Sequence, residues 1–147
     1  MADYALRDNA FVGAGPGSLF QQPAFFRLHA GERGRYFEWA ANDKVGASVH
    51  FTPAGDDGLW RSPARGTFAG FASDAELKGE DLFAFHDAVE STLRAEGAKR
   101  LEVLPAPMAH DPAAFANQLY LLRTRGYEMS QCDLNQSLEV DARSLSD

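Results

Sequence analysis

The segment that most constrains the fold is a long amphipathic stretch at about residues 80–96. Its apolar side chains recur three, four and four residues apart, which places them on one face of an α-helix: Leu82, Phe85, Val89 and Leu93. Gly97 is suited to end this helix in a left-handed conformation. Short apolar strands are predicted on either side of it, at residues 59–61 and 101–104. A strand, a helix and a second strand in this order indicate an α/β chain.

The first half of the chain contains the pattern of a β-hairpin. Two strand-like runs, residues 36–41 and 45–51, are separated by Asn42 and Asp43, residues that are common in tight turns. Apolar and smaller or polar residues alternate along the second run, so one of its faces is predicted to pack and the other to be more polar. His50 belongs to the more polar side.

Shorter elements are predicted towards both ends. Residues 4–9 are an edge-strand candidate, and a short helix is expected at residues 23–31 with proline at its first position. Asp111 followed by Pro112 is typical of a helix start, because an acceptor side chain at the cap precedes a residue that tolerates the first turn. The alternation at residues 131–140 predicts a final strand.

The composition is that of one globular domain. The chain has 147 residues, of which 45% are hydrophobic and 24% are charged, so it can bury a core without staples. We expect a single domain over residues 1–147, with a glycine-rich lead at residues 1–17. The N-terminus lacks the apolar run of a signal peptide, and no segment approaches the roughly 20 apolar residues of a membrane span. The expected compartment is the cytoplasm.

Charge and motifs exclude several classes of function. Fourteen Lys and Arg residues against 21 Asp and Glu residues give a net charge of −7, which repels nucleic acid and anionic membranes, so neither is an expected partner. The four histidines and one cysteine show no metal-ligand spacing, and no metal is expected. The nucleophile elbow, the P-loop and the dinucleotide fingerprint are also missing.

Three stretches follow one another in the order of a known superfamily. They read SPARGTFAG at residues 62–70, GAKRLEV at residues 97–103 and LYLLRTRGYE at residues 119–128. These stretches resemble the central strand with its phosphate loop, the helix-to-strand return and the closing helix of the GNAT acyltransferase superfamily. Residues 18–20, 62–63 and 68–70 are similar to the N-terminal half-domains of Fem-type and double-GNAT proteins. The resemblance spans about residues 18–141.

The resemblance implies a mixed α+β fold with a central, mostly antiparallel twisted sheet and helices on both faces. In such a fold two strands diverge, and acetyl-CoA or another acyl-CoA binds in the opening with its pyrophosphate on free backbone N–H groups. At the matching positions of this chain, Arg65, Gly66 and Gly70 are the implied cofactor-binding residues. A Gly70→Val substitution is then expected to weaken CoA binding and to leave the fold largely intact, because the position lies in a loop.

The chain departs from the family loop in two ways. Phe68 stands where the pattern has its first glycine, and a bulky side chain there obstructs close approach of a phosphate to the backbone. The following helix is predicted to begin near Glu80, too far along the chain for its dipole to act on a ligand at the loop. Glu76, Glu80 and Asp81 also place negative charge there. The cofactor site is therefore expected to be weakened or absent.

Acyl transfer to an amine needs a base for the amine proton and an acid for the departing thiolate. Tyr120 matches the tyrosine that often serves as that acid in the family. His50 and Glu38, on neighbouring predicted strands, are the candidate bases. Each also has a structural interpretation: Tyr120 as a helix boundary residue with its hydroxyl in water, and His50 and Glu38 as solvated or hydrogen-bonded strand residues.

Two hypotheses follow. The first is a GNAT-like N-acyltransferase domain that transfers an acyl group from acyl-CoA to an amine of a small molecule or a cell-envelope precursor. The alternative is a non-catalytic GNAT-like half-domain that binds a substrate or partner and has lost acyl-CoA binding. In that case Phe68, Phe71 and Trp60 are expected to form an apolar contact surface. The expected partner is then a second copy in a homodimer or a second GNAT-like half.

Overall fold

The computed structural model describes residues 3–11 and 15–132. From residue 133 onward the predicted final strand lies outside the described residues. The chain divides into two compact units, Met1–Ala106 and Pro107–Asp147. The first unit contains a sheet with two helices, and the described part of the second contains one helix.

The sheet of the first unit has six strands, joined in the order β1-β2-β3-β4-β6, with β5 paired to β3. Their bounds are Ala5–Asp8 for β1, Arg35–Ala41 for β2, Lys44–Pro53 for β3, Leu59–Ser62 for β4, Ala72–Ser73 for β5 and Arg100–Val103 for β6. Every pairing is antiparallel except that of β4 with β6, which is parallel. The predicted mixed class with a mostly antiparallel sheet is confirmed, whereas β5 was not foreseen by the sequence.

Three helices were predicted, and all three are present. They are α1 (Pro23–His29), α2 (Gly79–Ala95) and α3 (Pro112–Thr124), and a one-turn 3-10 helix, the 3-10 turn (Leu19–Gln21), precedes α1. Helix α2 forms because its apolar stripe is buried completely at Phe85, Val89 and Leu93. Helix α3 begins as expected, since the Asp111 carboxylate accepts a hydrogen bond from the Ala114 amide at 3.0 Å.

Helices α1 and α2 cover opposite faces of the sheet. Successive side chains of β2 point to opposite faces, so Trp39 lies on one side and Tyr36 on the other. The Trp39 ring lies 5.9 Å from the ring of Phe85 in α2, and the Tyr36 ring lies 5.6 Å from that of Phe26 in α1. We call these the α2 face and the α1 face. Among the described helices, none combines the length and apolar character needed to cross a membrane.

Candidate functional site

The candidate site is an interruption in the strand beside β3. Thr52 of β3 pairs with Arg61, and Ser48, four residues earlier, pairs with Ala72, which is eleven residues after Arg61. An unbroken antiparallel strand would advance by only four residues over that distance. Seven residues therefore leave the sheet between β4 and β5, and residues 63–69 are called the insertion loop.

The two ends of the insertion loop are held together by hydrogen bonds among Ser62, Ala69, Gly70 and Leu104, which we call the neck of the loop. The Gly70 amide donates to the Ser62 hydroxyl at 3.1 Å, and the Ala69 amide donates to the Leu104 carbonyl at 2.7 Å. The Leu104 amide in turn donates to the Ser62 carbonyl at 2.9 Å. The loop amides that a pyrophosphate would need at Ala69 and Gly70 are thus already paired within the protein.

The strands expected to diverge around a cofactor are hydrogen-bonded neighbours. β4 and β6 pair in parallel at all four positions of each strand, from Leu59 with Arg100 to Ser62 with Val103. At Ala69, the last residue of the insertion loop, the ladder resumes as a bridge to Pro105. The expectation of an opening between these two strands is therefore wrong for the described residues, because the chain returns to the same ladder after its seven-residue departure.

The 3-10 turn holds the insertion loop against the α1 face. The buried Gln21 side chain donates from Nε2 to the Ala69 carbonyl at 3.0 Å, and its Oε1 accepts from the Ser18 amide at 2.9 Å. The Phe20 ring meets the Phe68 ring edge to face, with centroids 5.0 Å apart. Phe68 stands where the GNAT loop pattern has its first glycine, and its ring fills space that a glycine would leave empty.

Sequence reasoning missed the roles of Gln21 and Ser62. One local signal was available for the first of them, because Ser18 followed three residues later by Gln21 has the spacing of a capping box. Nothing local indicates its second contact, since Gln21 and Ala69 are 48 residues apart in the chain. Ser62 was recognised only as the start of the stretch that resembles the family loop.

The three predicted cofactor-binding residues lie in or beside the insertion loop but differ in exposure. Arg65 is exposed and makes no ion pair with a described residue. Gly66 has a φ of 106° and approaches the Phe25 ring so closely that a Cβ there would lie 2.9 Å from Phe25 Cζ. Gly70 lies in a loop as predicted, but it is buried with a φ of 73°. A valine at that position strains the backbone, so the expectation of an intact fold no longer holds.

The two candidate bases lie on the same buried face of the sheet. Tyr36 pairs with His50 and Glu38 pairs with Ser48, so His50 and Glu38 are diagonal neighbours across β2 and β3 on the α1 face. His50 is 2% exposed and Glu38 is 0% exposed. The predicted polar side of the hairpin is thus a second buried side, because α1 and the 3-10 turn cover it.

His50 is held as a structural group. Its Nε2 lies 2.8 Å from the Phe20 carbonyl, so this nitrogen is the donor, while Nδ1 has no hydrogen-bond partner among the described residues. Burial lowers the pKa of His50 because the charged imidazolium would lose its water, although the Phe20 carbonyl opposes this in part. A neutral, enclosed imidazole is poorly placed to meet a substrate amine.

Tyr36 adds a second polar contact between the sheet and the 3-10 turn. Its hydroxyl donates to the Gln21 carbonyl at 3.2 Å. Burial, together with the nearby Glu38 carboxylate, raises the pKa of Tyr36 to about 12, and the Ser48 side chain opposes this rise in part. The phenol therefore stays protonated and remains a hydrogen-bond donor at neutral pH.

The candidate acid, Tyr120, lies on α3 in the second unit. Its side chain is 65% exposed, which fits the structural interpretation of a helix boundary residue with its hydroxyl in water. No described contact holds that hydroxyl, while the Tyr120 carbonyl accepts a hydrogen bond from Thr124 Oγ1 at 2.8 Å. The predicted acid and the predicted bases thus belong to different units of the chain.

The predicted apolar contact surface is wrong in its residues. Phe68, Phe71 and Trp60 are all buried, and the Phe71 ring stacks on His86 at 3.7 Å instead of facing solvent. Phe68 is buried with the insertion loop against Phe20, whereas Trp60 is buried on β4 and Phe71 is buried directly before β5. The described residues also contain no group of three histidine, cysteine or acidic side chains that would hold a metal ion.

Comparison of the chain with protein families, with curated proteins and with solved structures gave no match.

Proposed function

We propose that this chain is a non-catalytic GNAT-like half-domain that binds a substrate or a partner and does not itself bind acyl-CoA. The observation that carries the proposal is the closed neck of the insertion loop. Ala69 and Gly70 donate their amides to Leu104 and Ser62, which removes the donors that a pyrophosphate requires.

The surroundings of the neck support the same proposal. Phe68 occupies the position of the family's first glycine, and its ring is buried against Phe20. Helix α2 begins at Gly79, nine residues after Gly70, so its dipole acts away from the loop. An anion at the neck of the insertion loop would find the Ala69 and Gly70 amides already used and no helix terminus to bind.

Binding of acetyl-CoA by calorimetry and by thermal melting tests the proposal. A ligand that binds the native state at 100 times its Kd stabilises it by about 2.7 kcal/mol, which raises the melting temperature by several degrees. We expect no heat of binding and no shift with acetyl-CoA, CoA or longer acyl-CoA species. A saturable shift that is lost in Arg65→Ala would refute the proposal and place the cofactor at the insertion loop.

An N-acyltransferase acting on an amine of a small molecule or a cell-envelope precursor is the second proposal. In its favour, β4 and β6 are parallel neighbours connected through α2, and the insertion loop leaves the sheet directly after β4, as a phosphate loop would. Release of free CoA thiol in the presence of amine acceptors measures this activity. Activity that Tyr120→Phe reduces at least tenfold would support the second proposal over the first.

A further inference from the structure

The 3-10 turn and α1 carry large apolar side chains that the fold leaves in solvent. Leu19 is 68% exposed and Leu28 is 76% exposed. Between them along the chain are Phe20 and Phe25, which are both partly buried. Their rings meet edge to face, with centroids 5.1 Å apart. We call Leu19, Phe20, Phe25 and Leu28 the apolar patch. Exposed apolar groups that are contiguous mark interaction sites more often than scattered ones do.

The insertion loop brings a cation to the edge of the apolar patch. Gly66 lies against both aromatic rings, since a Cβ at this position would be 2.9 Å from Phe25 Cζ and 3.5 Å from Phe20 Cδ1. Its chain neighbour Arg65 is therefore beside the patch. Arg65 is exposed, and no described residue forms an ion pair with it.

Arg65 forms no ion pair with a described residue, and in this it resembles Arg7, Arg27 and Arg94. Other arginines of the first unit are paired: Arg33 with Asp56, Arg35 with Asp8 and Glu96, and Arg61 with Glu102. Arg65 is thus a positive group at the edge of the apolar patch of a chain whose net charge is −7. Aromatic residues and arginine are also the types most enriched at the centres of protein interfaces.

We infer that the apolar patch and Arg65 form a docking surface for a segment of a partner protein that presents apolar side chains next to carboxylates. This inference rests on the proposed function and names the partner's chemistry. Leucines that are more than two-thirds exposed protrude from the surface, whereas small-molecule sites enclose their ligand in a cleft. A protein surface is the occupant that can cover protruding side chains.

A second copy of this chain is a poorer occupant than a different protein. A two-fold contact through the apolar patch would bring the Arg65 side chains of both copies towards the same interface. Carboxylates on the partner satisfy Arg65 directly, with the bidentate geometry that guanidinium and carboxylate groups favour.

The test uses a fluorescently labelled peptide in which leucine and phenylalanine alternate with glutamate, and a matched peptide with glutamine in place of glutamate. Fluorescence anisotropy measures their binding to the full chain. We expect saturable binding of the acidic peptide and at least tenfold weaker binding of the neutral one. Arg65→Glu should weaken binding of the acidic peptide about tenfold or more, and Leu28→Ser about threefold to tenfold.

Arg94→Glu is the matched control, because Arg94 is an exposed arginine on α2, across the sheet from α1, and the substitution changes the net charge equally. It should leave the affinity within about twofold. Equal effects of Arg65→Glu and Arg94→Glu, or equal affinity for the two peptides, overturn the inference. So does concentration-dependent dimerisation that Leu28→Ser abolishes, since the occupant would then be a second copy.

The two proposals fail in different experiments. Binding of acetyl-CoA to the unmodified chain contradicts the proposed function, whatever the peptides do. If neither acetyl-CoA nor the acidic peptide binds, the proposed function stands and only the docking surface is refuted. Circular dichroism of each variant establishes that a loss of peptide binding is not a loss of fold.

Discussion

Both faces of the sheet contain aromatic contacts, such as Phe26 with Tyr36 on the α1 face, but they differ in their polar contacts. On the α2 face the contacts are between aromatic rings: Phe85 lies 5.9 Å from Trp39 and 5.8 Å from Phe71, with Phe51 a further 6.1 Å from Phe71. On the α1 face, polar groups of the sheet and of the insertion loop bond to the 3-10 turn. These contacts are His50 to the Phe20 carbonyl, Tyr36 to the Gln21 carbonyl, and Gln21 to the Ala69 carbonyl.

The two faces therefore make different contributions: the α2 face mainly supplies free energy of folding, and the α1 face mainly positions the insertion loop. Burial of aromatic surface is nearly non-directional, so the α2 face supplies free energy of folding and tolerates swaps that conserve volume. Hydrogen bonds fix distances and angles, and a partner left unpaired in the interior is costly. The contacts on the α1 face therefore help to determine where the insertion loop lies, and they bring Arg65 beside the apolar patch.

The largest effect is expected from truncation on the α2 face. Phe85→Ala removes a fully buried ring and should lower the free energy of unfolding by about 3–5 kcal/mol. Phe85→Leu should cost clearly less, because more of the volume is retained. Urea unfolding followed by circular dichroism measures both variants. A cost for Phe85→Ala below that of the polar-face variant described next would contradict the proposed division between the faces.

A smaller but more local effect is expected from Gln21→Ala. The variant leaves the buried Ala69 carbonyl without its donor, at a cost of about 1–3 kcal/mol. Hydrogen exchange should accelerate at the amides of residues 69–71 and remain unchanged in α2. Gln22→Ala is the matched control, because the Gln22 side chain bonds to the Gly15 and Gly17 carbonyls and to no other described residue. Equal exchange in the two variants would show that Gln21 does not hold the loop.

The elements that the sequence predicted well are those determined by local pattern. The stripe of α2 was visible from the spacing of Phe85, Val89 and Leu93, and the start of α3 from Asp111 and Pro112. Both signals lie within a few residues of the structure that they produce. The mostly antiparallel sheet followed from the hairpin and from a resemblance in motif order.

The elements that the sequence did not predict depend on contacts between distant residues. β5 is only two residues long, and its pairing with β3 exists because the insertion loop returns to the sheet. His50 looked half-solvated from its alternation, since nothing in its own strand shows that α1 will cover it. The closed neck required Ser62, Ala69 and Leu104 together, from three separate segments. A loop motif read in isolation indicates a phosphate site, and only the fold shows that the Ala69 and Gly70 amides are already used.

The smallest expected effect is the pH dependence of the free energy of unfolding that arises from His50 on the α1 face. Burial lowers the pKa of His50 below the value of about 6.5 that it has in the unfolded chain. As pH falls through about 6.5, the unfolded state therefore takes up a proton that the folded state does not. The contribution of His50 to the free energy of unfolding is fully present above that pH and is lost as the pH falls below it. For one proton, the free energy of unfolding falls by at most about 1.4 kcal/mol per pH unit.

Urea unfolding at a series of pH values above about 5, where most carboxylates stay ionised, measures this slope. His50→Asn should flatten the decline, although it also lowers stability at every pH by removing the bond to the Phe20 carbonyl. His29→Gln is the control, because it removes a histidine that is exposed on α1. If His29→Gln flattens the curve as much as His50→Asn does, the pH dependence does not arise from the buried imidazole. The α1 face would then be held by its remaining bonds, those of Gln21 and Tyr36, without a titrating member.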